Sequence, residues 1–271
     1  MKFKHLLILF NIIILFFLAI VMLFPHLILG PGYFSYFLRM GWPIVVLLLL
    51  FTIAVNIIFF SNYKLLILLE KEDWPAIAYY LEEKIYTKNQ YNSKKIRLLA
   101  NSYMVMSDFQ SVSKLESKVL AIKPAIVSNN ALVFGIAKVL NGDHKNAADF
   151  FKTCLYDGKV KERQWVHWFY GFALLLTSNF DQAEAEFKVL AAASNDVLIV
   201  GLSSYFLATV LEKRSYKPDE CRAIYESGKE QVVKTVKSLE NWKKEGNKAV
   251  TEIYMIIIRK YMEEAGSWLF K

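Results

Sequence analysis

A self-similarity at a shift of 35 to 36 residues runs through the middle of this sequence and leaves few folds open to it. It is clearest around residues 130–155, NALVFGIAKVLNGDHKNAADFFKTCL. These residues read as two short helices. In the first, Leu132, Phe134, Ile136 and Val139 surround Gly135, whose missing side chain lets a neighbouring element approach. Asn141-Gly142-Asp143 then ends it: Gly142 supplies a left-handed turn, and Asp143 is placed to cap the next helix. The second helix sets Ala147, Phe150, Phe151, Cys154 and Leu155 on one side, at spacings of three and four. A helix pair this short cannot bury its own apolar faces, so the pair is expected to stack on copies of itself.

The copies are present. Tyr170-Gly171 repeats Phe134-Gly135, Asn179-Phe180 repeats Asp143-His144, Ala183 repeats Ala147, and Phe187 repeats Phe151, each 36 residues on. Upstream, Leu99-Ala100, Asp108-Phe109, Val112 and Val119 match at a shift of 35, and that unit closes at Pro124. Asp73-Trp74, Ile77 and Tyr80 fall 35 before Asp108-Phe109, Val112 and Leu115. A small residue midway along helix A, Gly-Asp-aromatic between helices, Ala then an aromatic along helix B, and a closing Pro resemble the tetratricopeptide repeat (TPR). The resemblance covers residues 65–195 well and the remainder loosely. It implies an all-α fold whose repeats stack as an α-solenoid.

The start of the chain is different in kind. Residues 1–63 contain Lys2, Lys4 and Arg39 and no acid. Residues 6–29 carry no formal charge, with Asn11 and His26 their only polar side chains. About 20 helical residues cross a hydrocarbon core of about 30 Å, so this run is long enough to span. It is too long for a secretory signal, and no small-x-small cleavage site follows it. An aromatic loop is expected next: Gly30-Pro31-Gly32, then Tyr33, Phe34, Tyr36, Phe37, Arg39 and Trp42, residue types suited to the headgroup layer. A second span follows over residues 44–60. The reading is a helical hairpin. Lys2 and Lys4 precede the first span, Lys64 and Lys71 follow the second, and Arg39 alone lies between. The positive-inside bias therefore places both termini in the cytoplasm, with a periplasmic repeat domain as the alternative.

Three segments are expected: a transmembrane hairpin over 1–62, four TPR-like repeats over 63–195, and a degenerate fifth repeat with C-terminal capping helices over 196–271. No Gly, Pro or Ser-rich linker joins the hairpin to the repeats; Leu65, Leu66, Leu68 and Leu69 read as helix A of repeat one, which predicts a rigid mounting. In the tail, residues 197–213 read as an apolar helix, Asp219 as a cap, Gly246 as a break, and 249–270 as a last helix.

The net charge is +8, and +5 of it lies outside the first 63 residues. That surplus is spread out, with no dense Lys/Arg stripe, so nucleic acid is not an expected partner. Cys154 and Cys221 make neither a disulfide framework nor a zinc set, and Cys154 reads as a buried small hydrophobe. His5, His26, His144 and His167 have no second ligand at metal spacing, and no phosphate loop or nucleophile motif occurs. Glu184 and Glu186 read as solvated helix residues. No catalytic set, metal, cofactor or small-molecule substrate is expected.

The remaining candidate is the groove that helix A lines in TPR domains. That resemblance implies Arg97 and Asn101 in repeat two, Leu132 and Ile136 in repeat three, and Trp165, Trp168 and Phe172 in repeat four. Arg97 and Asn101 supply at most one corner of the carboxylate clamp found in chaperone-binding TPR domains. Two occupants suit so apolar a groove: the chain's own residues 249–270, or a partner's apolar segment. The functional expectation is a membrane-anchored scaffold or adaptor that positions proteins in an inner-membrane assembly of the envelope, secretion or flagellar kind. The alternative is a membrane chaperone or insertion factor that shields apolar segments.

Overall fold

The computed structural model describes residues 3–157, 160–248 and 255–271. Every regular element among them is helical. The chain divides into two compact units, Met1–Tyr80 and Leu81–Lys271.

In the first unit, helical backbone runs from Phe3 to Glu70 (α1). A straight helix of that length would extend about 100 Å at 1.5 Å per residue. The Phe3 amide nevertheless donates to Glu70 Oε2 at 3.3 Å, and the Phe10 and Phe51 rings lie 6.4 Å apart. The chain therefore doubles back on itself as a hairpin. Asn11 and Asn56 clasp its two arms through reciprocal amide hydrogen bonds of 3.2 and 2.9 Å. Each amide also donates to the carbonyl four residues earlier, Leu7 for Asn11 and Thr52 for Asn56. Two stretches, Phe3–Val21 and Gly41–Glu70, are long and apolar enough to cross a membrane. The aromatic loop expected after residue 29 is absent as such: the backbone there is helical. Residues 65–69, expected as helix A of repeat one directly after the second span, form the last turns of α1.

The helices beyond are α2 (Trp74–Glu82), α3 (Ser93–Val105), α4 (Phe109–Ile122), α5 (Pro124–Asn129), α6 (Ala131–Leu140), α7 (His144–Tyr156), α8 (Arg163–Leu176), α9 (Phe180–Ala193), α10 (Val197–Phe206), α11 (Pro218–Val236), α12 (Leu239–Lys248) and α13 (Met255–Leu269). From α6 to α11 each helix packs on the next, and α6 also meets α8, α8 meets α10, and α9 meets α11.

The turns are the most regular part of the architecture. Glu72, Ser107, Gly142 and Ser178 all have positive φ, at 53, 58, 78 and 60°. In each, the next residue donates to a carbonyl five positions back: Asp73 to Leu68, Asp108 to Tyr103, Asp143 to Lys138, and Asn179 to Leu174, at 2.8–3.2 Å. This is a Schellman ending, written four times at the spacing seen in the sequence. Asp73 and Asp108 then accept from the amides of Ala76 and Ser111. Asp143 sits at the equivalent place, but its carboxylate takes the Asn146 side chain at 2.7 Å and no backbone amide.

Other expectations need correction. Pro124 opens a helix, α5, since proline's fixed φ suits a first turn. Residues 197–213 divide into α10, a π-helical turn at Leu207–Leu211 and a 3-10 turn at Glu212–Arg214. Asp219 lies in the first turn of α11, after Pro218, and its N-cap is Lys217. Among the described residues a break in the tail falls at Lys237, which has φ 69°, and Gly246 is buried inside α12. A β-carbon on Gly246 would lie 2.8 Å from Met262 Cε, so glycine serves packing there. The first six residues of the expected last helix, 249–254, lie outside the described residues; the rest is α13.

Candidate functional site

The residues expected in an open groove are the chain's own core. Trp168 is fully buried, and its ring meets Phe169, Phe172, Phe187 and Phe206 at 5.1–5.9 Å. Trp165 meets it edge-on at 6.1 Å. From α13, Tyr261 closes over Phe172 at 5.6 Å and Phe206 at 5.1 Å. Leu132 and Ile136 are buried as well. Trp165, Trp168, Phe172, Leu132 and Ile136 therefore present no surface to a partner: burial of aromatic area in the fold takes precedence over display. Arg97 lies 4.0 Å from Glu162, and Asn101 is half-buried with a carbonyl oxygen that accepts no hydrogen bond. Neither joins the aromatic residues in one cleft.

The opposite stripe of α8 forms a surface. Arg163, His167, Tyr170 and Leu174 recur at spacings of four, three and four, so they share one helix face. Trp165, Trp168 and Phe172 fall on the other side of the same helix. Against the first stripe, α7 brings Lys152, Leu155 and Tyr156, and α9 brings Gln182 and Glu186. Together they line a cleft of about 470 Å³. A second hollow of about 310 Å³ shares Lys152, Tyr170 and Gln182 and continues past Lys145, Asp149, Thr177 and Asn179.

The polar groups here are unevenly satisfied. His167 Nε2 and Glu186 Oε2 hydrogen-bond across the cleft floor. Glu184, two residues earlier, pairs with Lys188 at 2.8 Å and accepts from Ser215 Oγ at 2.6 Å. Both glutamates, read as solvated in the sequence, thus have partners. Tyr170 is only 6 % exposed, yet among the described residues its hydroxyl makes no hydrogen bond. Burial, followed by the charge of Glu186, raises its pKa, so the hydroxyl stays a proton donor. Lys152 and Arg163 are exposed and form no ion pair among the described residues. The arrangement can offer donors and positive charge to an incoming anion.

Other chemistry finds little footing. No group of three or more His, Cys, Asp or Glu among the described residues is placed to hold a metal. Cys154 and Cys221 are buried free thiols. Burial first, then neighbouring carboxylates, pushes their pKa up to about 12 and about 11. Such thiols are poor nucleophiles at neutral pH. Sequence reasoning passed over Lys152, Arg163, Tyr170 and Gln182. The stripe on α8 was there to be read; its meeting with α7 was not, because that depends on how the helices stack.

The elements of the cleft lie inside the part of the chain that a family model matches. A family model described as an uncharacterised Treponema protein matches residues 111–271, well over half of the chain. The chain belongs to that family. The match runs from within α4 to the end of α13 and takes in all three walls of the cleft. An uncharacterized protein of Treponema pallidum (strain Nichols) is 29% identical over 287 aligned positions, covering 100% of this chain and 88% of the relative. The likeness to that relative therefore extends through the apolar hairpin as well. No solved structure matches the chain.

Proposed function

We propose that this protein is a membrane-anchored TPR-like scaffold that holds a partner protein at the cytoplasmic face of the inner membrane. The observation that carries this reading is the run of four Schellman turns at 35- to 36-residue spacing, directly following an apolar hairpin. Stacked helix pairs of this kind offer extended surfaces for protein recognition. The hairpin supports the anchoring: its outward side chains, such as Leu15, Phe16, Leu47 and Leu50, are exposed over 60%, as lipid-facing residues would be. The basic residues flanking the hairpin favour cytoplasmic termini.

The partner surface in this reading is the α7–α8–α9 cleft. A chaperone that shields apolar segments is the weaker account, since Tyr261 and the core already occupy the aromatic face. No enzymatic role is proposed.

A photoreactive residue at Tyr156, which is 80% exposed at the cleft rim, tests this in cells. The scaffold predicts one dominant crosslinked protein, recovered saturably. The same residue placed at the buried Trp168 should capture only the chain itself. No foreign capture at Tyr156, or a broad mixture competed by any apolar peptide, contradicts the scaffold.

A further inference from the structure

We propose that the α7–α8–α9 cleft recognises an acidic, extended segment of its partner, with a carboxylate held between Lys152 and Arg163 and hydrogen-bonded by the Tyr170 hydroxyl. This rests on the scaffold reading and names the partner's chemistry. Three observations converge on it. First, the two cations at the cleft mouth lack partners among the described residues, while Glu186 is already engaged by His167. Second, Tyr170 is more than nine-tenths buried and lines the cleft with its hydroxyl donor unused. Third, Gln182 stands beside it and offers a neutral amide to the same ligand.

The shape favours a chain over a small anion. The two hollows share Lys152, Tyr170 and Gln182 and so adjoin along α7, the second running past Asp149 to Lys145. Seven helical residues separate those lysines, a rise of about 10 Å. An extended peptide covers that in about three residues. Because the side chains of an extended chain alternate between its two faces, acidic side chains two or four residues apart would meet Lys152 with Arg163 at one end and Lys145 at the other. A carboxylate is preferred because the Arg163 guanidinium and the Lys152 ammonium can each take one of its two oxygens, with the Tyr170 hydroxyl as a further donor.

The test uses the full chain in neutral detergent and a short fluorescein-labelled peptide carrying glutamate at every second position. Fluorescence anisotropy should show saturable binding that weakens with added salt. The glutamine counterpart should bind at least about tenfold more weakly. Lys152→Glu with Arg163→Glu, both at exposed positions, should weaken the glutamate peptide by about tenfold or more while helical content stays unchanged. Tyr170→Phe, which keeps the packing, should weaken it by about fivefold. Equal binding of the two peptides, or no effect of the double reversal, overturns the inference. So does charge-dependent binding of phosphatidylglycerol vesicles, lost in the double reversal, with no peptide binding; that would mark a lipid headgroup site. Capture of one protein at Tyr156 without glutamate-peptide binding would sink this inference and leave the scaffold standing.

Discussion

The ring of Phe151 lies so close over the α-carbon of Gly135 that a β-carbon on Gly135 would overlap it. One repeat later, a β-carbon on Gly171 would lie 3.2 Å from Phe187 Cζ. The same pair, glycine on one helix and phenylalanine 16 positions on, sets how closely α6 meets α7 and α8 meets α9.

Gly135→Ala should therefore destabilise the fold by about 1–3 kcal/mol, as overpacking does, and Gly171→Ala by less than about 1.5 kcal/mol. Denaturant melts followed by near-ultraviolet circular dichroism measure this. Adding Phe151→Leu to Gly135→Ala should recover part of the loss, because residues in contact are not additive. Equal losses at the two glycines would contradict the packing described.

The turns give a prediction of opposite sign. Ser107 and Ser178 hold positive φ where Gly142 holds it in the middle turn. Each serine there costs about 1 kcal/mol relative to glycine. Ser107→Gly and Ser178→Gly should each stabilise by up to about 1 kcal/mol, and Gly142→Ala should destabilise by a similar amount. Thermal melts of the three variants against the parent decide it.

The period, the turn positions and the apolar hairpin were legible in the sequence because they are local. Asn141-Gly142-Asp143 announces a helix end, and its copies announce the register. The fate of Trp165, Trp168 and Phe172 was not legible. Aromatics at helical spacing suit a groove or a core equally, and what decides between them is Tyr261, about ninety residues away. For the same reason Lys152 could not be joined to Arg163 before the helices were seen side by side.

Tyr261→Ala should open that aromatic face. Loss of its ring from Phe172 and Phe206 should cost about 1–3 kcal/mol. It should also raise binding of a hydrophobic dye to the folded chain, while Tyr156→Ala should change neither quantity. No rise in dye binding would mean that α13 does not seal the cluster.

The asparagine clasp predicts a non-additive pair. Asn11→Leu or Asn56→Leu alone leaves the other amide without its cross-arm partner and should cost about 0.6–2 kcal/mol in micelles. Changing both should cost less than the two single losses together. Unfolding titrations in mixed micelles measure the coupling.

The buried thiols set an alkaline limit. Their pKa is raised in the folded state, from 9.0 to about 12 for Cys154 and about 11 for Cys221. Native protein therefore holds these protons more tightly than unfolded chain. The associated stability is complete below the unfolded value and is lost as pH rises from about 9 towards the folded values. Both thiols should react slowly with a disulfide reagent at pH 8 until the chain is unfolded, when both should titrate at once. Fast reaction of either in the native state would contradict its burial.

A Tyr156→Cys variant gives the most direct test of an anchored platform on the cytoplasmic side, because the native cysteines are buried and silent. Carbonate-washed membranes from spheroplasts would be assayed with a membrane-impermeant maleimide added before or after permeabilisation. The account predicts that the chain stays with the membranes and that this cysteine is labelled only after permeabilisation. Release by carbonate, or labelling in intact spheroplasts, would contradict it.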